Sequence, residues 1–490
     1  MLPSIPRLED YDVSSTNGFL PAEPPLEILP DPYYRPWENI IRNLQPLILT
    51  KRLRGLVDNL PVLSTDFLRT DQEWRRAYMI LGFMSHAYIW GGDIPSERVP
   101  PAISVPFTDT CRRLELPLVA TYAGVCLWNW RPLFPEEPVD NLENLSTLAT
   151  FTGSLDESWF YLVSVAIESR GAPIIPLMLH AIEAARFGRI DIVTECLRSF
   201  AERLDELGAL LNRMYDNCDP HVFYHRIRPF LAGSKNMHEA GLPNGVLFDT
   251  GSPDDQYVKH AGGSNAQSSL IQFFDIALGV EHRPQGPHTK PATSNPHSTI
   301  SADTAPPQNF IHEMRTYMPG PHARFLEHMT SIANIRQFVR EHQHNRALAI
   351  AYDACLAMLR AFRDKHIQMV SRYIIVKSRE SRSQSRSMSR EKPARVNLAT
   401  VSNKQGNTKG SATRGTGGTA LIPFLKQARD ETGEPAIDAW ARRLLNNGPG
   451  YASDGVRLNT IGEHASGETV IVGLAGTWSV DDSDGGICHW

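Results

Sequence analysis

The sequence predicts an all-α protein, and three observations carry that expectation. Tyr352, Cys355, Leu359, Phe362, His366, Val370 and Tyr373 recur at spacings of three and four, which marks one face of a long amphipathic helix. Leu49, Leu53, Leu56, Val57 and Leu60 keep helical spacing between Pro46, which suits a first turn, and Pro61, which suits a stop. From Pro117 onward nearly every ordered stretch reads as helix, and no series of alternating residues marks out a sheet.

The elements fall into an order. Residues 1–35 are proline-rich and extended, and helical spacing then runs from Trp37 to about Trp90, with Met79, Ile80, Phe83 and Met84 continuing it. Pro95, Pro100, Pro101 and Pro106 suggest a boundary. The expected division is a small helical N-terminal domain over 1–100, a connector over 101–116, and a large all-helical domain over 117–440. Two insertions interrupt the large domain. Residues 283–309 are rich in proline, serine, threonine and histidine, and read as a long surface loop. Residues 378–414 open on a Ser-Arg run and continue in Lys, Asn, Gly and Thr, too polar to order themselves. A tail, 441–490, has no role that the sequence assigns.

Bulk properties exclude several classes. A chain of 490 residues with 41% hydrophobic residues can bury a large core. Its 49 Lys plus Arg against 54 Asp plus Glu give a net charge of −5, so no global field attracts nucleic acid or an anionic membrane. Six cysteines, Cys111, Cys126, Cys196, Cys218, Cys355 and Cys488, form no C-x-x-C pair and read as buried thiols in a reducing compartment. The opening residues lack the apolar core of a signal peptide, and runs such as Leu118 to Trp128 are too short to span a bilayer. A cytoplasmic protein is expected.

Several constellations could carry chemistry. His366 falls in the middle of an apolar stripe, where an imidazole needs a partner for each nitrogen. It reads either as a core histidine bonded to a neighbour or as an axial ligand to a haem iron, projecting from a rigid helix into a dry pocket. Ser154 and Glu157 have capping-box spacing, and the helix they start puts Phe160, Ser164 and Ile167 on one face. Ser164 is either a core hydroxyl bonded to the preceding turn or the one polar group on the roof of a pocket. The stretch from Pro220 to Lys235 mixes aromatics with Arg226 and Arg228; it is a helix with a solvated basic face or a site for a flat ring bearing a carboxylate. Gly262 to Ser269, with Ser264 and Gln267 spaced as a second capping box, and Gly415 to Thr419 are turns able to present backbone N–H groups. Neither ends in Gly-Lys-Ser/Thr, His238-Glu239 and His312-Glu313 lack the second histidine of a zinc protease, and no G-x-S-x-G is present.

Taken together, these segments resemble the indoleamine 2,3-dioxygenase family of haem enzymes, in a fungal-type form, over roughly residues 10–430. The resemblance rests on Leu114-Glu115-Leu116-Pro117, Tyr122 with Asn129-Trp130, Phe160 to Ser164, Phe223 to Gly233, Gly262 to Ser269 with Phe274-Asp275, Tyr317-Met318-Pro319, Ala351 to Cys355, His366 to Ile374 and Gly415 to Thr419. It implies a small α-rich domain on a large helical haem-binding domain. It further implies haem b as cofactor and a reaction in which O2 cleaves the indole C2–C3 bond of L-tryptophan to N-formylkynurenine, the first step of the kynurenine pathway toward NAD. By the same resemblance His366 is the proximal ligand of the haem iron. Arg363 and Asp275 brace that side and a propionate, and Ser264 also borders the haem. Tyr122, Val125, Cys126, Phe160, Ser164, Gly263, Ser264 and Asn265 line the distal substrate pocket. Phe223 and Arg228 match the aromatic and the carboxylate-binding arginine, and Gly415, Thr416 and Gly417 match a loop that closes over the substrate. Ser164, Phe223 and Arg228 are the expected catalytic group. A monomer that uses neither nucleic acid nor membrane is expected.

Three positions depart from the family pattern: Asn265 replaces a small apolar residue beside the substrate, Ser234 a tryptophan, and Tyr224 an aromatic without a hydroxyl. Asn265 gives weight to an alternative, a haem-binding relative with weak or no tryptophan turnover that binds or senses oxygen. The Ser-Arg run at 378–390 suggests an RNA-linked protein, against which the net charge and the missing binding fold both count.

Overall fold

The computed structural model describes residues 3–284, 309–380 and 421–446, with the backbone of two short strands at 470–473 and 476–479. Most of the two expected insertions, Gly415, Thr416, Gly417, Cys488 and most of the tail lie outside the described residues.

The all-α expectation holds. The first helices are α1 (Arg35–Arg42), α2 (Leu44–Leu49), α3 (Leu53–Asp58), α4 (Asp71–Trp90) and α5 (Pro101–Leu114). There follow α6 (Leu155–Gly171), α7 (Ile174–Arg186), α8 (Ile190–Asn212), the short α9 (Met214–Asn217), α10 (Pro220–Val222) and α11 (Arg228–Leu231), and α12 (Ser269–Leu278). The last are α13 (Phe310–Arg315), α14 (Gly320–Ile332), α15 (Ile335–Glu341), α16 (Arg346–Val370), α17 (Leu421–Thr432) and α18 (Ala439–Asn446). Among the described residues no strand exceeds four residues. Arg98–Val99 pairs parallel with Val246–Phe248, which pairs antiparallel with Tyr257–Val258, and Trp130–Pro132 pairs antiparallel with Leu145–Thr147.

Among the described residues the main apolar core runs from Leu8 to Leu445, with a small second cluster around Phe310, Met314 and Tyr317. Its axis is α16 laid along α8, which in turn packs on α6 and α7. The Cys355 thiol donates to the Leu197 carbonyl across the α16–α8 seam at 2.9 Å. Toward the N-terminus, α4 is buried on almost every side, and Arg76 on it meets Glu38 of α1 at 2.6 Å. That pair is enclosed, so removing either partner would strand a charge.

Several local expectations are corrected. The spacing from Leu49 to Leu60 reads as one helix, but α2 stops at Leu49 and α3 starts at Leu53, with Lys51 between them at φ 59°. Leu49 consequently points outward at 81% exposure. Part of the expected connector is the helix α5, which carries Pro106 in its interior and packs on α4. Neither capping box closes reciprocally. Ser154 caps Glu157 N, but the Glu157 carboxylate turns inward to the Phe151 and Thr152 amides (both 2.7 Å) and the Tyr161 hydroxyl (2.9 Å). Ser264 caps Ala266, while Gln267 accepts from Tyr122 N and donates to the Gly262 carbonyl, each at 2.9 Å, and Ser268 caps α12. The helical stretch Leu155–Arg186, formed by α6 and α7, is by length and composition alone apolar enough to cross a bilayer. With 72% of its most apolar window buried in the protein, it is a core element.

Candidate active site

Among the described residues three places widen from α to π turns: Ala123–Leu127, Phe223–Ile227 and Ser371–Val376. A π turn accommodates an extra residue, shifts the side chains beyond it, and is found mostly where function needs an irregular helix. All three border one cavity, which they reach through Val125 and Cys126, Phe223, and Tyr373 and Ile374. With its mouth, that cavity encloses about 1820 Å³ free of protein atoms.

Its walls are mostly apolar and come from distant parts of the chain. The α6 face presents Phe160, Val163, Ser164 and Ile167, α16 presents Phe362, Arg363, His366 and Val370, and α17 presents Leu421, Phe424, Leu425 and Ala428. Gly263, Ser264 and Asn265 complete it from the glycine turn. That turn lies hard against the chain after α11. A Cβ at Gly262 would come within 2.0 Å of the Leu231 carbonyl oxygen, and one at Gly233 within 2.2 Å of that of His260. Only glycine permits so close a backbone approach.

The expected site residues therefore converge. Tyr122, Val125, Cys126, Phe160, Ser164, Phe223, Arg228, Gly263, Ser264, Asn265, Arg363 and His366 all line this cavity. Asp275 stands behind Arg363, and Gly415, Thr416 and Gly417 lie outside the described residues.

The His366 imidazole makes no hydrogen bond among the described residues. Enclosure by protein and then the nearby Arg363 cation lower its pKa to about 4, so it is neutral at pH 7 with a lone pair available. One turn earlier, Arg363 places Nη2 2.7 and 2.6 Å from the two Asp275 oxygens. Burial raises the Asp275 pKa, but Arg363 and His282 outweigh it and hold the carboxyl below its ordinary range. Arg228 is almost wholly enclosed at 1% exposure, and burial lowers its pKa to about 10, which leaves it a cation at pH 7.

Three residues escaped the sequence reading. Glu168, four residues after Ser164, accepts from Tyr122 Oη (3.0 Å) and Ser268 Oγ (2.6 Å), and burial raises its pKa to about 7. A lone carboxylate in the apolar run of α6 was the readable signal. His282, at the edge of an insertion, and Glu431, near the end of α17, extend the Arg363–Asp275 pair, and no local pattern betrayed them.

A neutral lone-pair donor on a long helix, inside an apolar cavity with a cation behind it, suits a bound metal-centred macrocycle with acidic substituents. The residues present fit such a group. The fold and site thus define a helical oxidoreductase. The chain belongs to the indoleamine 2,3-dioxygenase family, whose model it matches over residues 7–435. It is 40% identical over 434 residues to an indoleamine 2,3-dioxygenase of Aspergillus candidus, covering 87% of this chain and 96% of the relative. Similarity to the Saccharomyces cerevisiae indoleamine 2,3-dioxygenase is 41% identity over 437 residues, 87% and 93% of the two chains. A 6-hydroxytryptophan 2,3-dioxygenase of Fusarium equiseti is 39% identical over 430 residues, 87% and 96% of the two chains.

Proposed function

We propose that this protein is a haem b-dependent dioxygenase that cleaves the indole C2–C3 bond of L-tryptophan. Both atoms of one O2 enter the product, N-formylkynurenine. The observation that carries the reading is the neutral His366 imidazole facing the same cavity that Arg228 enters as an enclosed cation.

Haem held by His366 would supply the activation of O2. Arg363, with Asp275 fixing its orientation, would meet a propionate. Every other task falls to side chains. Arg228 receives the amino-acid carboxylate, whose lost hydration is replaced by charge-assisted N–H···O bonds, and so orients the indole ring. Phe160 and Phe223, with ring centroids 4.9 Å apart and planes tilted by 58°, provide an apolar corner and exclude water. Among the described lining residues there is neither a carboxylate nor a second histidine. An electron-rich indole can react without first losing its N–H proton, so no base is needed and the Ser164 hydroxyl sets placement. With this reading go a monomer, a cytoplasmic location, and independence from nucleic acid and membrane.

A second reading concerns the ring. Asn265 brings an amide to the cavity wall, and the Fusarium relative is named for a hydroxylated tryptophan, so a ring hydroxyl is a fitting substituent here.

Anaerobic reduction followed by O2 and L-tryptophan tests the function. The absorbance of N-formylkynurenine should appear with consumption of one O2 per tryptophan. Oxygen uptake with tryptophan left intact would make the protein an oxygen-binding relative instead.

A further inference from the structure

His282 lies just beyond the end of α12, and its side chain is only 6% exposed. Each ring nitrogen faces a carboxylate: Nε2 is 3.1 Å from Asp275 Oδ2, and Nδ1 is 2.7 Å from Glu431 Oε2. A neutral imidazole has one N–H and one lone pair, so it could satisfy only one of these acceptors and would repel the other. Two acceptors on two nitrogens require both N–H groups.

The bridge closes a ring of chain segments. Asp275 of α12 binds Arg363 of α16, one turn from His366, and Arg363 Nη1 also meets the Thr432 hydroxyl. Glu431 and Thr432 are the last two residues of α17, the helix whose Leu421, Phe424, Leu425 and Ala428 wall the cavity. Charges alternate around the ring, from Arg363 through Asp275 and His282 to Glu431.

We propose that His282 is a positioning residue for the reaction. By bridging Asp275 and Glu431 it seats α17 as a wall of the substrate cavity and steadies Arg363 beside His366. The catalytic part of this inference rests on the function proposed above.

The groups around His282 agree with a charged ring. Burial lowers its pKa, but the Asp275 charge and hydrogen bonds to Asp275 and Glu431 more than reverse this, raising it to about 9, with Arg363 opposing. Glu431 also accepts from Gln427 Nε2 (2.8 Å) and Arg283 N (3.0 Å), while the Arg283 side chain is taken up by Glu434 at 2.6 Å. On α13, His312 is lowered by burial, then by Arg315 and by His282 itself. A raised histidine stabilises fully below its ordinary range, and that contribution is lost as pH rises through about 9.

Hydrogen exchange on the haem-loaded full-length protein provides the test, with α8 as the internal standard. In His282→Gln the amides of 421–432 should exchange at least about tenfold faster than in wild type at pH 7, with α8 unchanged. The KM for L-tryptophan should rise more than kcat falls. In wild type, α17 protection relative to α8 should drop as pH passes about 9, and the variant should lack that step. Unchanged α17 exchange in the variant, or the same alkaline step in it, overturns the bridge. A loosened α17 with unaltered KM overturns the positioning role. Should His282→Gln fail to fold, Glu431→Leu removes the acceptor from the other side, and the wild-type pH series needs no variant. Absence of tryptophan turnover in wild type would strike the proposed function alone and leave the exchange result standing.

Discussion

Arg228 holds its guanidinium carbon 5.7 Å from the centroid of the Tyr224 ring, and both side chains are closed off from solvent. A cation kept over an aromatic face in a dry wall is ready to receive an anion without first shedding water.

Arg228→Ala should therefore cut turnover of L-tryptophan by at least about tenfold, because truncating a buried charge partner costs on the order of 2–5 kcal/mol. Haem content should stay normal, and an indole substrate lacking the carboxylate should suffer far less. Steady-state kinetics on both substrates check this; unaltered L-tryptophan kinetics would remove the carboxylate clamp.

His366→Ala should lose most of its haem, or keep it with water in place of the imidazole and no activity. The motive is a lone pair facing the cavity with no competing partner among the described residues. Haem per chain and the absorption spectrum report the outcome. A wild-type spectrum with full activity would move the ligand elsewhere.

Glu168 predicts a pH effect on stability. Its carboxyl is raised by burial from 4.5 to about 7, so the folded state holds a proton that the unfolded chain has released. Stability from this group is greatest below pH 4.5, is lost as pH rises to about 7 and is level above that. The shift corresponds to about 3 kcal/mol at 1.36 kcal/mol per unit. Glu168→Gln stays neutral and can still accept from Tyr122 and Ser268. Between pH 5 and 8 the variant should gain Tm relative to wild type; parallel Tm curves would contradict the assignment.

Asn265→Ala should lower the KM for L-tryptophan, since an amide that meets an indole ring without a partner gives up hydration for nothing. The gain should be on the order of 1 kcal/mol, a few-fold in KM. The preference for 6-hydroxytryptophan over tryptophan should fall in the same variant. An unchanged ratio of kcat/KM for the two would take Asn265 out of specificity.

What the sequence made legible follows from range. The α16 stripe through His366 is a local pattern of one long helix, and periodicity alone reveals it. The segment from Phe223 to Arg228 was readable as a mixture of aromatic and basic residues, but its π turn was not, since no residue type marks where a helix widens. The two capping boxes show the limit of local rules. Ser and Glu stood at the right spacing, yet Glu157 gained more from amides and a hydroxyl in the core than from its own helix end. Tertiary contact decides such contests. The His282–Glu431 pair spans 149 residues, and no pattern within a single element could announce it.

The π turns make the site's response to chain length depend on where a residue is lost, which substitutions do not probe. Each takes up about one residue more than an α turn, so deleting a single residue between Phe223 and Arg228 would restore regular winding. The lost residue and the lost widening would cancel, each worth about 100°, the angle per residue of an α-helix, and Arg228 would keep its place on the cavity. A residue deleted from the regular winding of α6 ahead of Ser164 has no such compensation, and that hydroxyl would swing off the cavity wall. The wide turns are thus the places where the pocket's reading frame can absorb a one-codon loss, and the straight helices are where it cannot.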